Sequence, residues 1–206
     1  MSAAQAASDG ASQTLRGRAK ASRRAALLTA AANLFAARGF NGVSIEDLGA
    51  AAGVSGPAVY RHFNGKQAVL SALLVGVSRD LYDGGQAVVA ESADARAALK
   101  GLIEFQVDFA LTNPDVIRVH DRDLDSLSEE DGNNVRALQR KYVEVWVNVL
   151  SQLHPGTDKA QLRLRAHAAF GLINSTPHTT HRRRTSKDIA ILRRILEEMA
   201  LAALTV

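Results

Sequence analysis

Positively charged side chains are concentrated near the start of the chain, where they could bind a polyanion. Residues 1–66 carry eight Lys or Arg against three Asp or Glu, a net charge of +5, whereas the remaining residues sum to −1. The eight cations are Arg16, Arg18, Lys20, Arg23, Arg24, Arg38, Arg61 and Lys66. A basic head on a nearly neutral body favours a polyanionic partner for the head alone, although a solvated basic arm has the same composition.

The segment that begins at His120 is the main candidate for metal chemistry. Aspartates at alternate positions from 121 to 125 have the spacing of a calcium loop, but such a loop needs glycine where this chain has Ser126. His120 with these carboxylates remains a candidate ligand set for a divalent metal. The chain has no cysteine, no HExxH motif and no Gly-rich phosphate loop. Because these motifs are absent and the His120 segment alone is weak evidence, we predict no metal, no cofactor, no catalytic residue and no enzymatic activity.

The hydrophobic pattern of the whole chain has the helical period, and no alternating run is long enough to indicate a sheet. The predicted fold class is therefore all-α, with about nine helices in a chain of 206 residues. The longest run without a charged residue, 166–181, is too short and too polar to cross a bilayer. No signal peptide is readable, so we expect a cytoplasmic protein without a membrane partner.

Three helices are predicted in the first third, after a disordered arm at 1–15. The first runs from about residue 22 to 38 and ends at Gly39. Ser44 and Asp47 form a capping box that opens a short helix through residue 52. Gly53 breaks that helix, and a second short helix extends from 55 to 63 before a long one begins at Lys66. Two short helices joined by a Gly-containing turn form the helix-turn-helix pattern.

The rest of the chain is predicted to be a helical body. Its helices after the one at Lys66 are expected at 93–112, 114–123, 129–153, 158–174 and 186–204. Leu192 and Ile195 represent two apolar seams of the last helix, and only one of these seams can face the helix's own core. A fully internal last helix is the alternative.

The residues around the predicted turn carry a family pattern. Ala52-Gly53-Val54-Ser55 is followed by Tyr60, His62, Phe63 and Lys66. With these residues, the stretch 43–66 resembles the DNA-binding segment of the TetR family of one-component repressors. The chain departs from the pattern at Leu48-Gly49, where the family often has Ile-Ala, and at Pro57, where it often has Gly. Because Pro57 lacks a backbone N–H, an operator sequence cannot be borrowed from relatives.

The resemblance implies DNA contacts for eight residues. Ser44 would meet a phosphate while capping its helix, Tyr60 and His62 would contact the DNA backbone, and Lys66 would pair with a phosphate at a helix N-terminus. The residues expected to face base edges are Ser55, Pro57, Ala58 and Arg61. Arg61 could read guanine bidentately, and the basic residues at 16–24 could reach phosphates or a minor groove.

Structural alternatives exist for several of these residues. Tyr60 could pack its ring in the core, His62 could be an ordinary helix-terminal histidine, and Arg61 could stay solvated. Val59 and Phe63 are expected to be core residues.

The resemblance also implies how the chain is divided. We expect a helix-turn-helix DNA-binding domain at 16–66 and a ligand-binding and dimerisation domain at 67–206. The family dimerises through its last two long helices, which here would pair two copies on a palindromic operator. The residues expected at the interface are Ala166, Ala169, Ile191, Ile195 and Ala202.

Family members usually hold a small effector among the helices of the body. The candidate lining residues are Leu102, Phe105, Phe109, Val116, His120, Tyr142, Trp146, Phe170 and Ile173, and for each aromatic one the alternative is a core position. The region 116–150 resembles actinobacterial members that regulate lipid or acyl-CoA catabolism. This resemblance implies an apolar effector, such as an acyl-CoA or a lipid, whose phosphates could meet Arg118, Arg122 or residues 182–184.

The sequence thus predicts a ligand-responsive transcriptional regulator, most simply a repressor, that binds double-stranded DNA as a homodimer. The alternative is a helical protein-interaction adaptor with a basic head and no sequence-specific DNA binding. A steep dependence of DNA binding on salt would distinguish the two.

Overall fold

The computed structural model describes residues 3–175 and 185–206, with side chains described from Gly17 onward. Within these residues the chain forms nine α-helices, one 3-10 turn and no strand, which confirms the all-α prediction. The helices are α1 Ala3–Arg38, α2 Ile45–Ala51, α3 Gly56–Val59, α4 Lys66–Glu91, α5 Ala95–Thr112, α6 Pro114–Asp123, α7 Glu129–Leu153, α8 Lys159–Asn174 and α9 Ser186–Thr205, and the 3-10 turn is Leu124–Ser126. No helix in the described ranges is long and apolar enough to cross a bilayer.

The chain divides into two compact units, Met1–Leu73 and Leu74–Val206. The division therefore lies inside α4, whereas the sequence placed it after residue 66, where that helix begins. Since hydrophobic periodicity continues through α4 without a break, nothing in the sequence marks the point of division.

α1 is longer than the sequence predicted. It begins at Ala3 and not near residue 22, so it includes the segment that we expected to be a disordered arm. Five of residues 3–11 are alanine, which has the highest helix propensity, and a helix that already exists can extend without a new nucleation step. The cations Arg18, Lys20 and Arg23 are consequently exposed side chains of a helix.

The first unit is built on one face of α1. Leu27, Ala31 and Phe35 are spaced four residues apart and are buried at 1% exposure or less. The apolar residues of the two short helices pack into the same unit, with Leu48 and Val59 fully buried. Burying a side chain of this size stabilises the folded state by roughly 1.5–3 kcal/mol.

α3 is shorter than predicted. It ends at Val59, whereas the sequence indicated a helix through Phe63. The N–H groups of Ala58, Arg61 and His62 donate to the carbonyl three residues earlier, at 2.9–3.3 Å. Such bonds tighten the backbone into the 3-10 pattern, which runs poorly beyond a few residues. The segment after Val59 is therefore a set of hydrogen-bonded turns.

The second unit has α5 near its centre, packed against α7, α8 and α9. The N-cap of α5 is Asp94, whose side chain accepts a hydrogen bond from the N–H of Ala97 at 2.8 Å. Leu99, Trp146 and Leu162 are fully buried and represent the contributions of α5, α7 and α8 to one hydrophobic core. α9 adds a row at four-residue spacing that includes Leu196 and the buried residues at 200 and 204.

Candidate DNA-binding surface and effector cavity

The turn between α2 and α3 depends on two glycines. Gly53 has a φ of 68°, in the left-handed region that residues with a Cβ rarely adopt. The N–H of Val54 donates to the carbonyl of Gly49 at 2.8 Å, and the N–H of Gly53 donates to that of Ala50 at 3.2 Å. A Cβ on Gly49 would lie 2.8 Å from the carbonyl oxygen of Val54. Gly49, at which the chain differs from the family pattern, therefore allows the backbone of α2 to lie close to the turn.

The capping box predicted for α2 is present. Ser44 Oγ accepts a hydrogen bond from the N–H of Asp47 at 3.0 Å, and the Asp47 carboxylate accepts one from the N–H of Ser44 at 2.8 Å. Hydrogen bonds from the backbone and hydroxyl of Ser44, with a smaller effect of the Arg38 guanidinium 3.4 Å away, hold the pKa of Asp47 below its ordinary value. The Ser44 hydroxyl also donates to Asp47 at 2.8 Å. A phosphate contact by this hydroxyl stays a prediction and requires that donor to exchange partners.

α3 and the turns that follow it present one side to the core and one to solvent. Val59 and Phe63 are buried, as predicted, at 0% and 5% exposure. Tyr60 is 57% exposed, so its ring is not a core element. The Ser55 hydroxyl makes no capping hydrogen bond and is exposed. The remaining residues predicted to face base edges are exposed or half-buried: Pro57, Ala58 and Arg61.

Three cationic or titratable residues of the predicted DNA surface lie against the first unit, and two of them, His62 and Lys66, are half-buried. His62 is half-buried, and its Nδ1 is buried with no hydrogen-bond partner among the described residues. Lys66 begins α4 as predicted, but its Nζ donates to the carbonyl of Phe40 at 2.8 Å and lies 4.4 Å from the centre of the Phe40 ring. Arg24 stacks its guanidinium 4.9 Å above the Phe63 ring. An ammonium has three donors, so Lys66 keeps the capacity to meet a phosphate.

A cavity of about 100 Å³ lies among α4 to α8 in the second unit. Its apolar wall is formed by Leu74, Val77, Leu81, Phe109, Val116 and Ile117. Its polar wall is formed by Ser78, Gln106, His120, Asp121, Gln139, Tyr142 and Asn174. The structure thus brings together four of the nine residues predicted to line an effector site, namely Phe109, Val116, His120 and Tyr142. A mainly apolar space with a few convergent polar groups is typical of a small-molecule site.

Buried polar side chains are linked along one side of this cavity. The Tyr142 hydroxyl donates to Gln106 Oε1 at 3.0 Å, and Gln106 Nε2 donates to Asn174 Oδ1 at 3.0 Å. Burial raises the pKa of the Tyr142 phenol, which therefore stays protonated and acts as a donor. Sequence reasoning missed Gln106 and Asn174. The available signal was Gln106 itself, a polar residue in line with Ile103 and Ala110 on the apolar stripe of α5.

His120 takes part in a hydrogen bond at another side of the cavity. Its Nε2 is hydrogen-bonded to the side-chain amide of Gln139 on α7. Asp123, one of the carboxylates considered as a metal ligand, is buried and pairs with Arg122 at 3.0 Å. In residues 3–175 and 185–206 no group of three or more His, Asp or Glu is arranged to hold a metal ion.

The other five residues predicted to line the effector site do not line this cavity. Leu102, Trp146 and Ile173 are fully buried in the hydrophobic core, and Phe170 packs with its ring centre 4.9 Å from that of Trp146. Phe105 packs on the backbone of Gly84 in α4, where an added Cβ would collide with the ring. Leu102, Trp146 and Ile173 therefore fill the interior of the unit, and the half-buried Phe105 and Phe170 pack against this core.

The arginines predicted to meet effector phosphates already have carboxylate partners. Arg118 pairs with Asp115 at 2.9 Å, and Arg122 pairs with Asp123. Residues 182–184, the other candidates, lie outside the described residues. The structure therefore does not place Arg118 or Arg122 in a vacant anion site.

The last two helices only partly match the predicted dimer interface. Ile191, Ile195 and Ala202 are exposed on α9, as an interface requires. Ala166 and Ala169 are instead buried at 0% and 2% exposure in the core of their own unit. Their small side chains allow close helix packing within one protomer, so the predicted role of these two residues between protomers is corrected.

Two family models match the chain. One, described as bacterial regulatory proteins of the tetR family, matches residues 27–73, and one, described as a tetracyclin repressor-like C-terminal domain, matches residues 92–178. The chain belongs to the TetR family of transcriptional regulators. The first match includes α2, the turn and α3, and thus confirms the resemblance of residues 43–66.

Known proteins similar to this TetR-family chain are regulators of transcription. The chain is 29% identical to the HTH-type transcriptional repressor KstR2 of Rhodococcus jostii (strain RHA1) over 132 residues, which are 64% of this chain and 65% of that protein. This match therefore spans slightly less than two thirds of the length of its curated relative.

Solved TetR-family structures share the fold. A regulator from Bordetella parapertussis 12822 superimposes with a TM-score of 0.75 at 24% identity, covering 86% of this chain and 93% of that one. AibR, solved in complex with isovaleryl coenzyme A and operator DNA, has a TM-score of 0.68 at 20% identity, covering 89% of this chain and 98% of AibR. At these identities the likeness concerns the fold alone.

Proposed function

We propose that this TetR-family regulator is a ligand-responsive repressor that binds a palindromic operator as a homodimer and leaves it when a small, largely apolar effector binds. The observation that carries the proposal is the two-sided character of α3 and the turns after it. Val59 and Phe63 anchor the segment in the core, while Tyr60 and Arg61 stand in solvent. A helix that enters the major groove needs this combination of a fixed inner side and an accessible outer side.

The accessible side has the chemistry for reading a duplex. Arg61 is the only long cation in the segment 55–63, and a guanidinium can donate two hydrogen bonds to the O6 and N7 atoms of guanine. The hydroxyl of Tyr60 can donate to a phosphate, which fixes the register but does not report sequence. Specificity is therefore assigned mainly to Arg61, with Ser55 beside it at the base edges, and the Tyr60 hydroxyl contributes affinity.

A dimer is proposed because exposed apolar side chains concentrate on the last two helices. A single helix-turn-helix contacts too few base pairs to be selective, whereas two recognition helices about 34–36 Å apart can read a palindrome. Leu164 on α8 is 70% exposed, and Met199 on α9 is 50% exposed. With Ile191, Ile195 and Ala202, Met199 forms an exposed stripe along α9. Contiguous exposed apolar surface of this kind marks a protein contact, and a second copy supplies the same surface.

The size of the cavity limits the effector group that it can hold. The cavity volume of about 100 Å³ is well below the range of about 300–1,000 Å³ that is usual for small-molecule sites, so it suits a compact group better than a long chain. A short acyl group fits this limit, and its carbonyl oxygen can accept a hydrogen bond from the polar wall. AibR, which shares the fold, was solved with isovaleryl coenzyme A. We therefore favour a short-chain acyl-CoA over a long-chain lipid.

Selection of genomic fragments by the full-length purified chain tests the proposal. We expect the recovered fragments to share one palindrome, their affinity to fall steeply with salt, and a short-chain acyl-CoA to release them. Arg61→Ala should relax the selected sequence at one position of each half-site, whereas Arg79→Ala, which removes an exposed cation of the second unit, should leave the selected palindrome unchanged. Recovery of unrelated fragments at low ionic strength, or a monomer in solution, would refute the proposal and favour a protein-binding adaptor.

A further inference from the structure

A second, wider space lies on the surface of the second unit beside the effector cavity. It is an open groove of about 840 Å³, within the range of about 300–1,000 Å³ that is usual for small-molecule sites. α4 contributes Tyr82 and Gln86, α7 contributes nine residues between Arg136 and Asn148, and α8 contributes Arg163 and His167.

The groove is strongly basic. Its lining includes four permanent cations, Arg136, Arg140, Lys141 and Arg163, against a single carboxylate, Glu144. Arg163 donates to Glu144 from its Nε at 2.7 Å, and Arg136 lies 3.6 Å from the exposed carboxylate of Asp125, so the excess positive charge of the groove lies mainly on the other two cations. Arg140 and Lys141 are exposed neighbours at the groove wall. Like charges held together in a concave surface attract a polyanion more strongly than isolated cations do.

An aromatic ring and two amides lie among these cations. The half-buried ring of Tyr82 has the Lys141 ammonium 5.9 Å from its centre. Gln86 and Asn148 provide amide groups on the same lining. An aromatic ring can stack on a nucleobase, amides can pair with base edges, and nearby cations can bind phosphates. This combination favours a ligand with a nucleotide end over a simple carboxylate.

One residue belongs to both spaces. Gln139 lines the basic groove and also the inner cavity, where its side-chain amide is hydrogen-bonded to His120. Its neighbours on α7 divide between the two spaces, since Tyr142 lines the cavity and Val143 lines the groove. A ligand that extends from one space into the other therefore passes Gln139, and it has to displace or bridge the bond to His120.

From these observations we infer that the basic groove binds the nucleotide-phosphate end of the effector, whose short apolar end enters the inner cavity past Gln139. The inference rests on the proposed function, because it takes the inner cavity as the effector site. It assigns the phosphates to Arg140 and Lys141 in place of Arg118 and Arg122. The ligand class is a nucleotide thioester with a short acyl chain.

Binding of three probes by the full-length chain, measured by isothermal titration calorimetry, tests this arrangement. Coenzyme A offers only the nucleotide end, isovalerate only the apolar end, and isovaleryl-CoA both. We expect isovaleryl-CoA to bind most tightly. Arg140→Gln combined with Lys141→Gln should weaken binding of both CoA compounds about tenfold, since two partly exposed ion pairs are lost. Val116→Leu, which narrows the inner cavity, should weaken isovaleryl-CoA and leave coenzyme A unchanged.

A matched control removes the same charge elsewhere in the unit. Arg96→Gln combined with Lys100→Gln neutralises two exposed cations of α5 outside the groove and should leave all three affinities unchanged. The inference is overturned if the chain binds neither CoA compound, if the groove variant binds them as the parent chain does, or if isovalerate binds as tightly as isovaleryl-CoA.

The same samples separate this inference from the proposed function. Every variant should retain the DNA affinity of the parent chain in the absence of ligand, because none changes a residue of the first unit. If the parent chain selects an operator but the groove variant binds the CoA compounds as the parent chain does, the groove is not the nucleotide site, and the repressor proposal is unaffected. Loss of operator selection in the parent chain itself rejects the repressor proposal.

Discussion

Removing one hydroxyl from the inner cavity gives a sharp test of its hydrogen-bonded wall. Tyr142→Phe deletes the donor to Gln106 Oε1, an acceptor in a side chain that is only 2% exposed. A buried acceptor left without a donor costs about 1–3 kcal/mol of the free energy of unfolding. At about 2–4 °C for each kcal/mol in a chain of this length, the melting temperature should fall by roughly 2–12 °C.

The control for this variant is Tyr82→Phe, which deletes the same group from a half-buried ring in the basic groove. Urea unfolding followed by circular dichroism at pH 7 gives both free energies. If the two substitutions lower the free energy of unfolding by amounts that agree within about 0.5 kcal/mol, the hydrogen bond of Tyr142 contributes little and the prediction is refuted.

The pH dependence of the same pair gives a second readout. Burial raises the pKa of Tyr142 above the ordinary value of about 10, so the folded chain holds the phenolic proton at a pH where the unfolded chain releases it. The stability from this group is therefore fully present below pH 10 and is lost as the pH rises above it, by up to about 1.4 kcal/mol for each pH unit. Tyr142→Phe should lack this part of the alkaline loss, and a parallel decline in both proteins would contradict the assigned burial effect.

Five further substitutions test other parts of the molecule. Arg61→Ala should relax base preference at one position of each half-site, whereas Lys66→Ala should lower affinity for all sequences alike and reduce the salt slope by about one, as binding to singly substituted operators would show. Gly53→Ala should lower the free energy of unfolding in urea by about 1–2 kcal/mol, because residue 53 has a left-handed backbone. The new Cβ would have no neighbour within 4 Å, so no steric clash adds to this loss. An unchanged free energy of unfolding would contradict this explanation. Ile195→Glu should convert the dimer into a particle of 22.0 kDa in sedimentation, and a persistent dimer would place the interface elsewhere. The folded-state pKa of Asp47 lies below 3.8. The stability that its carboxylate contributes is therefore present above that pH and is lost as the pH falls through the folded-state pKa. Asp47→Asn should make the free energy of unfolding, measured in urea, less dependent on pH in the acid range.

Local signals in the sequence predicted the DNA-binding unit well. The capping box of Ser44 and Asp47 and the turn at Gly53 depend on residues within a few positions of one another, so the sequence contains all the information that they need. The end of α3 was missed because its turns tighten after Pro57, which the apolar spacing of Val59 and Phe63 does not report.

The effector cavity was only partly predictable because it is defined by what the core leaves empty. Aromatic size pointed to Trp146 and Phe170, yet Trp146 is fully buried in the core and the half-buried Phe170 packs against it. The cavity wall instead depends on Gln106 and Asn174, which are 68 residues apart in sequence and meet only in the folded chain. Similarly, the small side chain of Ala166 suits helix packing within one protomer as well as between two protomers, and the residue type alone does not distinguish these two contacts.

Under the proposed function, the amide pair of Gln106 and Asn174 would join ligand choice to subunit association. Asn174 is the final residue of α8, the helix that also carries the solvent-facing Leu164. A molecule that competes for Gln106 Nε2 would remove the hydrogen bond that joins the end of this helix to α5. Evolution of a new inducer preference through this position would consequently retune how firmly two copies hold each other, so the two traits are expected to drift together and not independently.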